Sequence, residues 1–180
     1  MIVKIPAWKR WARLGPNDTK WLNHVPESGV CISVFIIARK GTSILLGRPR
    51  GGDTWAEKGG FPAWRASGLE KDKAWLLPAT HLLMEEPPDL AAKRIARQWA
   101  GLTGTPRFLE FQSHTRPALV GGRNRGARHW DLCFVYELKA NSVPRLKPWW
   151  LEMRFVKPSE IRRMNMGRGH KDILREAGFI

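Results

Sequence analysis

The chain alternates between short apolar runs and polar stretches punctuated by glycine or proline, and the period within each run predicts its element. From Gly29 onward Val30, Ile32, Val34, Phe35, Ile36 and Ile37 form a β-branched run. It is too continuously apolar for a strand with one wet face, so it predicts a buried central strand. Arg39, Lys40, Gly41 and Thr42 read as a turn, and Ser43 to Leu46 as the returning strand of a hairpin. Gly47 to Lys73 is a long polar connection carrying Arg48, Arg50, Lys58 and Arg65 among Trp55, Phe61 and Trp64. Connections of that length are uncommon in a compact domain and often functional. Trp75 to Pro78 reads as a short strand and Ala79 to Pro88 as a loop.

Asp89 to Ala100 is the clearest helix. Pro87 and Pro88 precede it, Asp89 is placed to cap it, Gly101 follows it, and Leu90, Ala91, Ile95, Ala96 and Trp99 recur at helical spacing. Arg107 to Phe111, His129 to Leu138 and Trp150 to Val156 read as strands. Gly121 to Arg128 reads as a loop, and Pro158 to Met164 and His170 to Ala177 as short helices. Strands on both sides of a central helix, with further helices at the end, predict a mixed α/β sandwich. Residues 1–28 read as an irregular arm in which Trp8, Trp11 and Trp21 alternate with basic residues, and residues 29–180 as the domain.

Charge adds to this picture: 31 Lys+Arg against 16 Asp+Glu give a formal net charge of +15. Such a surface attracts polyanions, whether RNA, nucleotides carrying several phosphates, or an anionic membrane surface. The two cysteines, Cys31 and Cys133, sit in apolar runs without metal-ligand spacing and read as buried thiols. Met1 to Arg13 lacks the apolar stretch of a signal peptide, and no run approaches the ~20 residues of a membrane span. The expected compartment is the cytoplasm.

Thr80 to Leu102 resembles the signature of the Nudix hydrolases, G-x5-E-x7-R-E-U-x-E-E-x-G-U with U apolar. Without a gap, Thr80 stands at the first glycine, Glu86 at the first acidic position, Arg94 at the arginine, Ala96 at the first apolar position, and Gly101 and Leu102 at the end. Leu45 to Arg48 is similar to the family's strand before this box, and Met153 to Ile161 to its late strand and helix start. The resemblance implies an α/β/α sandwich with a mixed sheet. It also implies a pyrophosphate-containing ligand, such as a nucleoside diphosphate linked to another group, hydrolysed with Mg2+. Here, however, the three helix glutamates of the family are replaced by Ile95, Gln98 and Trp99. Residues spaced i, i+3, i+4 share a helix face, and a neutral face is a poor site for a hard dication that takes carboxylate oxygens. Metal-dependent hydrolysis is therefore expected to be weak or lost.

Two arrangements of the remaining acids are open. Glu85 and Glu86, beside Asp89 and His81, are placed for a relocated metal site in which Glu86 is the catalytic candidate. Alternatively Glu86 pairs with Arg94 while Asp89 caps the helix. Candidate anion contacts are Arg48 and Arg50 at the start of the long connection, and Arg123, Arg125 and Arg128, whose guanidinium forks suit phosphate. His129 follows, and on a strand it shares a face with Asp131. Trp99 is a candidate stacking wall for a ligand ring or, alternatively, core filling. The expected partners are thus a nucleotide or other pyrophosphate-containing molecule, with a basic, non-catalytic RNA-binding domain as the alternative.

Overall fold

The computed structural model describes residues 13–14, 30–52, 63–83, 86–120, 123–167 and 169–180. In chain order they form β1 (Arg13–Leu14), β2 (Val30–Lys40), β3 (Ser43–Pro49), α1 (Ala63–Lys71), β4 (Ala79–His81), α2 (Pro88–Ala100), β5 (Arg107–Val120), β6 (Arg123–Lys139), β7 (Trp150–Val156), α3 (Pro158–Ile161) and α4 (His170–Glu176). The strands make one mixed sheet in the order β5-β6-β2-β3-β7, with β1 and β4 also paired to β2. β2 runs parallel to β6 from Val30↔Trp130 to Arg39↔Lys139, and the other pairings are antiparallel.

The continuous apolar run of β2 follows from burial on both faces. Val34, Ile36 and Ala38 enter a core with Leu45, Tyr136, Leu138 and the α2 residues Ala91, Ala92, Ile95, Ala96 and Trp99. Phe35 and Ile37 enter the opposite core with Ile44, Leu46, Val135 and the residues Ile161, Ile173 and Leu174 of α3 and α4. Side chains alternate across a strand, so one strand feeds both layers. The result is an α/β/α sandwich. Cys31 and Cys133 are buried free thiols. No helix among the described residues is long and apolar enough to cross a membrane.

Several elements differ from the sequence reading. The long polar connection contains α1, which Ala66 and Leu69 dock against the α2-side core. The strand expected at residues 75–78 is reduced to the single bridges Gly47↔Leu76 and Trp75↔Met166, while the expected loop that follows carries β4. Arg123–Arg128 are not a loop: β6 begins at Arg123, and β5 continues to Val120 to pair with it. The two terminal helices are shorter than expected, at Pro158–Ile161 and His170–Glu176. Of the expected arm only Arg13–Leu14 is described, as a two-residue strand, and Trp8, Trp11 and Trp21 lie outside the described residues.

α2 starts one residue earlier than expected, because proline is tolerated in the first turn, where a helix N–H has no partner to lose. Asp89 does not cap it. The cap position is Pro87, without a side-chain hydrogen bond, and Asp89 lies in the first turn. At the other end Gly101 adopts φ 65°, and Leu102 donates its N–H back to the Ala96 carbonyl at 3.1 Å, the left-handed stop that glycine allows without strain.

Candidate functional site

The site is built around the two ends of α2. Before the helix, both Glu86 carboxylate oxygens are engaged: Arg94 donates through Nε to Oε1 at 2.6 Å and through Nη2 to Oε2 at 2.7 Å. Leu83 N–H also donates to Oε2, at 3.0 Å, and Arg94 Nη2 reaches the His81 carbonyl at 3.1 Å. Each side chain of the pair is 13% exposed. This fork-to-fork geometry fastens the segment after β4 to the second turn of α2, and its low exposure makes it stronger than a surface pair. Thr80, in β4 just before that segment, is buried, and its Oγ1 finds no hydrogen-bond partner among the described residues.

The three helix positions where the resemblance expects glutamates do not form an open anionic wall. Ile95 is 0% and Trp99 2% exposed, both within the core under α2, while Gln98 faces solvent. Of the two readings of Trp99, its packing bears out core filling and corrects the ligand wall. Trp149 and Trp150 stand edge-on to it, with ring centroids at 5.6 and 5.8 Å, and Trp150 Nε1 donates to the Trp99 carbonyl at 2.8 Å. Trp150 in turn presses on Gly47, where an added Cβ would meet the indole at 2.7 Å. The ring nearer solvent is Trp149, which is half-buried, with an Nε1 that has no partner among the described residues. The Pro148-Trp149-Trp150 sequence at the start of a strand was the available signal for this wedge.

Two of the candidate arginines lie at the β3–β7 pairing, Arg48 within it and Arg50 just after it, beside Trp149. Arg48 lies opposite Glu152, with Nη1 3.6 Å from Oε2, and its buried Nε is unpartnered among the described residues. Arg50 donates its N–H to the Trp149 carbonyl at 2.8 Å and its Nε to the Pro148 carbonyl at 3.0 Å. Gly51 N–H donates to Glu70 of α1. Arg123, Arg125, Arg128 and His129 are not brought to this group. They stand in β6, upstream of its pairing with β2, on the other side of β2 from β3 and β7. Asp131 accepts a hydrogen bond from Ser33 Oγ at 3.1 Å. Glu85 lies outside the described residues.

These residues do not fit a magnesium ion at the helix face. Ile95 and Trp99 carry no side-chain oxygen and are enclosed, and Glu86 already has its charge balanced by Arg94 and its oxygens filled. Among the described residues no group of three or more His, Cys, Asp or Glu could hold a metal ion. Octahedral Mg2+ binding needs charged oxygens free to approach.

No family model and no curated protein matches the sequence. Solved structures do match its fold. A MutT protein from Methanosarcina mazei Go1 aligns over 82% of this chain and 92% of its own, at TM-score 0.58 and 14% identity. A MutT NUDIX hydrolase from Burkholderia pseudomallei aligns over 82% and 95%, at 0.53 and 15%. A bifunctional NMN adenylyltransferase/ADP ribose pyrophosphatase from Francisella tularensis, solved with AMP and a Mn ion, aligns over 86% of this chain and 44% of its own, at 0.56 and 15%. The chain therefore has a Nudix-type fold. At these identities the likeness concerns architecture and leaves chemistry to the residues.

Proposed function

We propose that this chain is a Nudix-family protein directed at pyrophosphate-containing ligands such as nucleoside-diphosphate-linked molecules, with metal-dependent hydrolysis weak or lost. The observation that carries the reading is the contrast between the two halves of the signature. The Glu86–Arg94 brace is kept with full hydrogen bonding, while positions 95 and 99 are given over to core. A chain under selection for the fold alone has no need of a charged brace at 13% exposure, since apolar residues of similar volume serve stability as well. In this reading Glu86 acts as a positioning residue that holds the segment after β4, and no step is assigned to magnesium.

The ligand's charge would fall to Arg48 and Arg50. Arg48 holds a weak ion pair at 3.6 Å that a diphosphate would outcompete, because guanidinium forks match phosphate oxygens with two parallel bonds. Trp149 takes the ring-facing role expected of Trp99, since its indole is half-buried at the edge of the α2-side core. The fold likeness to an ADP-ribose pyrophosphatase solved with AMP supports a nucleotide ligand.

Titration calorimetry with ADP-ribose, in chelator, tests this. The expected result is binding that Arg48→Ala weakens about tenfold, in line with loss of one charge-assisted contact. Equal affinity in the folded variant, or no binding of ADP-ribose, AMP or a dinucleotide, refutes the reading.

A further inference from the structure

The sheet face that packs under α2 continues onto β5 and β6 as a strip of aromatic rings. Residues directly opposite one another in an antiparallel pair share a face. The register sets Phe108 against Tyr136, Phe111 against Phe134, Ser113 against Leu132 and Thr115 against Trp130. A register shift between Phe108 and Glu110 brings Phe108 and Phe111 to the same side. Phe108, Phe111 and Trp130 are 48, 49 and 50% exposed. Single exposed rings are ordinary on a protein surface; a contiguous strip marks an interaction site.

The rings are mutually supported. Phe108 meets Tyr136 at 5.5 Å and Phe134 at 6.4 Å, and Phe111 meets Phe134 at 5.3 Å, with tilted or edge-on planes. Trp130 is pinned by its Nε1, which donates to Ser113 Oγ at 2.6 Å. A ring already held in place loses little freedom when a partner stacks on it. From Trp130 to Tyr136 the strip runs roughly 20 Å at the strand rise, room for several nucleotides.

Charge borders the strip. α2 packs over Tyr136 in the shared core, and Asp89, on one side of that helix, raises the phenol's pKa, second to the effect of burial. Lys93 lies one turn further along that side and Arg97 one turn beyond, both exposed. The backbone of β6 continues upstream from Trp130 through the segment that carries Arg128, Arg125 and Arg123.

We propose that the β5–β6 face, built on Phe108, Phe111, Trp130 and Phe134 and flanked by Lys93 and Arg97, binds single-stranded nucleic acid by stacking unpaired bases on its rings. Every base has a π-face, a duplex hides it, and phosphates seek the basic flank. A second copy of the chain fits this face less well. Each copy carries +15, and the β5 edge has two register shifts and Pro117, features that discourage edge pairing between sheets. The inference stands independently of the pyrophosphate reading.

The test measures fluorescence anisotropy of a labelled oligouridylate of about twelve nucleotides, and of a duplex of equal length, against the full chain. The single strand is expected to bind more tightly. Phe111→Ala and Trp130→Ala should each weaken it roughly 5- to 100-fold while thermal melting confirms the fold. Phe111→Tyr should retain binding, and Phe111→Leu should behave like the alanine variant, since leucine keeps apolar area but not the ring. ADP-ribose affinity should not move, which separates this site from the proposed nucleotide site. Unchanged RNA affinity in the folded alanine variants, leucine binding as well as phenylalanine, or a dimer that these variants dissociate would overturn the proposal.

Discussion

Removing the acid from the Glu86–Arg94 brace, by Glu86→Gln, is predicted to cost about 3 kcal/mol. Exposed ion pairs contribute roughly 0–1 kcal/mol, whereas stripping one partner from a buried pair costs about 3–5 kcal/mol. At 13% exposure on both sides this pair sits near the buried limit. The substitution removes the charge opposite a guanidinium that also donates to the His81 carbonyl at 3.1 Å. It also sets an amide NH2 against either Arg94 or the Leu83 N–H, because glutamine has only one acceptor oxygen where the carboxylate used two. Urea denaturation provides the assay: the midpoint should fall while the slope stays constant, the sign of lost stability without a change in unfolded compactness. Adding Arg94→Met should recover part of the loss, since the stranded charge goes with it. A loss under about 0.5 kcal/mol for Glu86→Gln, or a double variant worse than the sum of the single ones, would show that the brace does not carry the segment after β4.

Gly47→Ala should destabilise by roughly 1–3 kcal/mol, because its Cβ would meet Trp150 at 2.7 Å and overpack the tryptophan wedge; thermal melting checks it, and an unchanged midpoint contradicts the packing. Trp150→Phe should cost about 1–2 kcal/mol through the lost bond to the Trp99 carbonyl, read in the same melt. At Glu137, the Arg107 hydrogen bond at 2.8 Å, with Arg39 at 2.6 Å, holds the carboxyl below its ordinary value against the opposing push of burial. A depressed folded pKa gives stability that is present above the unfolded carboxylate value and lost as pH falls through the folded one. Glu137→Gln should therefore lower stability at neutral pH and flatten its fall under acid, and an unaltered acid limb in urea titrations would contradict this.

The parts of the fold legible in the sequence are those where one physical rule dominates. β2 announced itself because both its faces are buried, and α2 because proline, the apolar period and Gly101 agree on one span. α1 was hidden: with Ala66 buried and Leu69 half-buried as its inward anchors and Gly68 between them, it holds through tertiary docking, which the local pattern does not record. The extension of β5 and β6 was hidden too, because Pro117 and the glycine- and arginine-rich start of β6 read as loop chemistry, while long hairpin pairing supplies the strand. At the site, the sequence offered the partnership of Glu86 with Arg94 as one of two arrangements of the acids, and the structure shows that pair. The sequence left Trp99 open between a ligand wall and core filling, because the residues that seal it, Trp149 and Trp150, stand at the entry to β7 some fifty positions later. Contacts between distant segments leave no periodic trace.

With Ile95 and Trp99 in the core and Gln98 toward solvent, α2 offers no carboxylates for dication chemistry at these positions. The most direct measurement follows AMP release from ADP-ribose by the purified chain with magnesium, with manganese, and with chelator. Release at the uncatalysed rate in all three is the predicted outcome. Turnover at ordinary enzyme rates, of about 1 per second or faster, that chelator abolishes would contradict it.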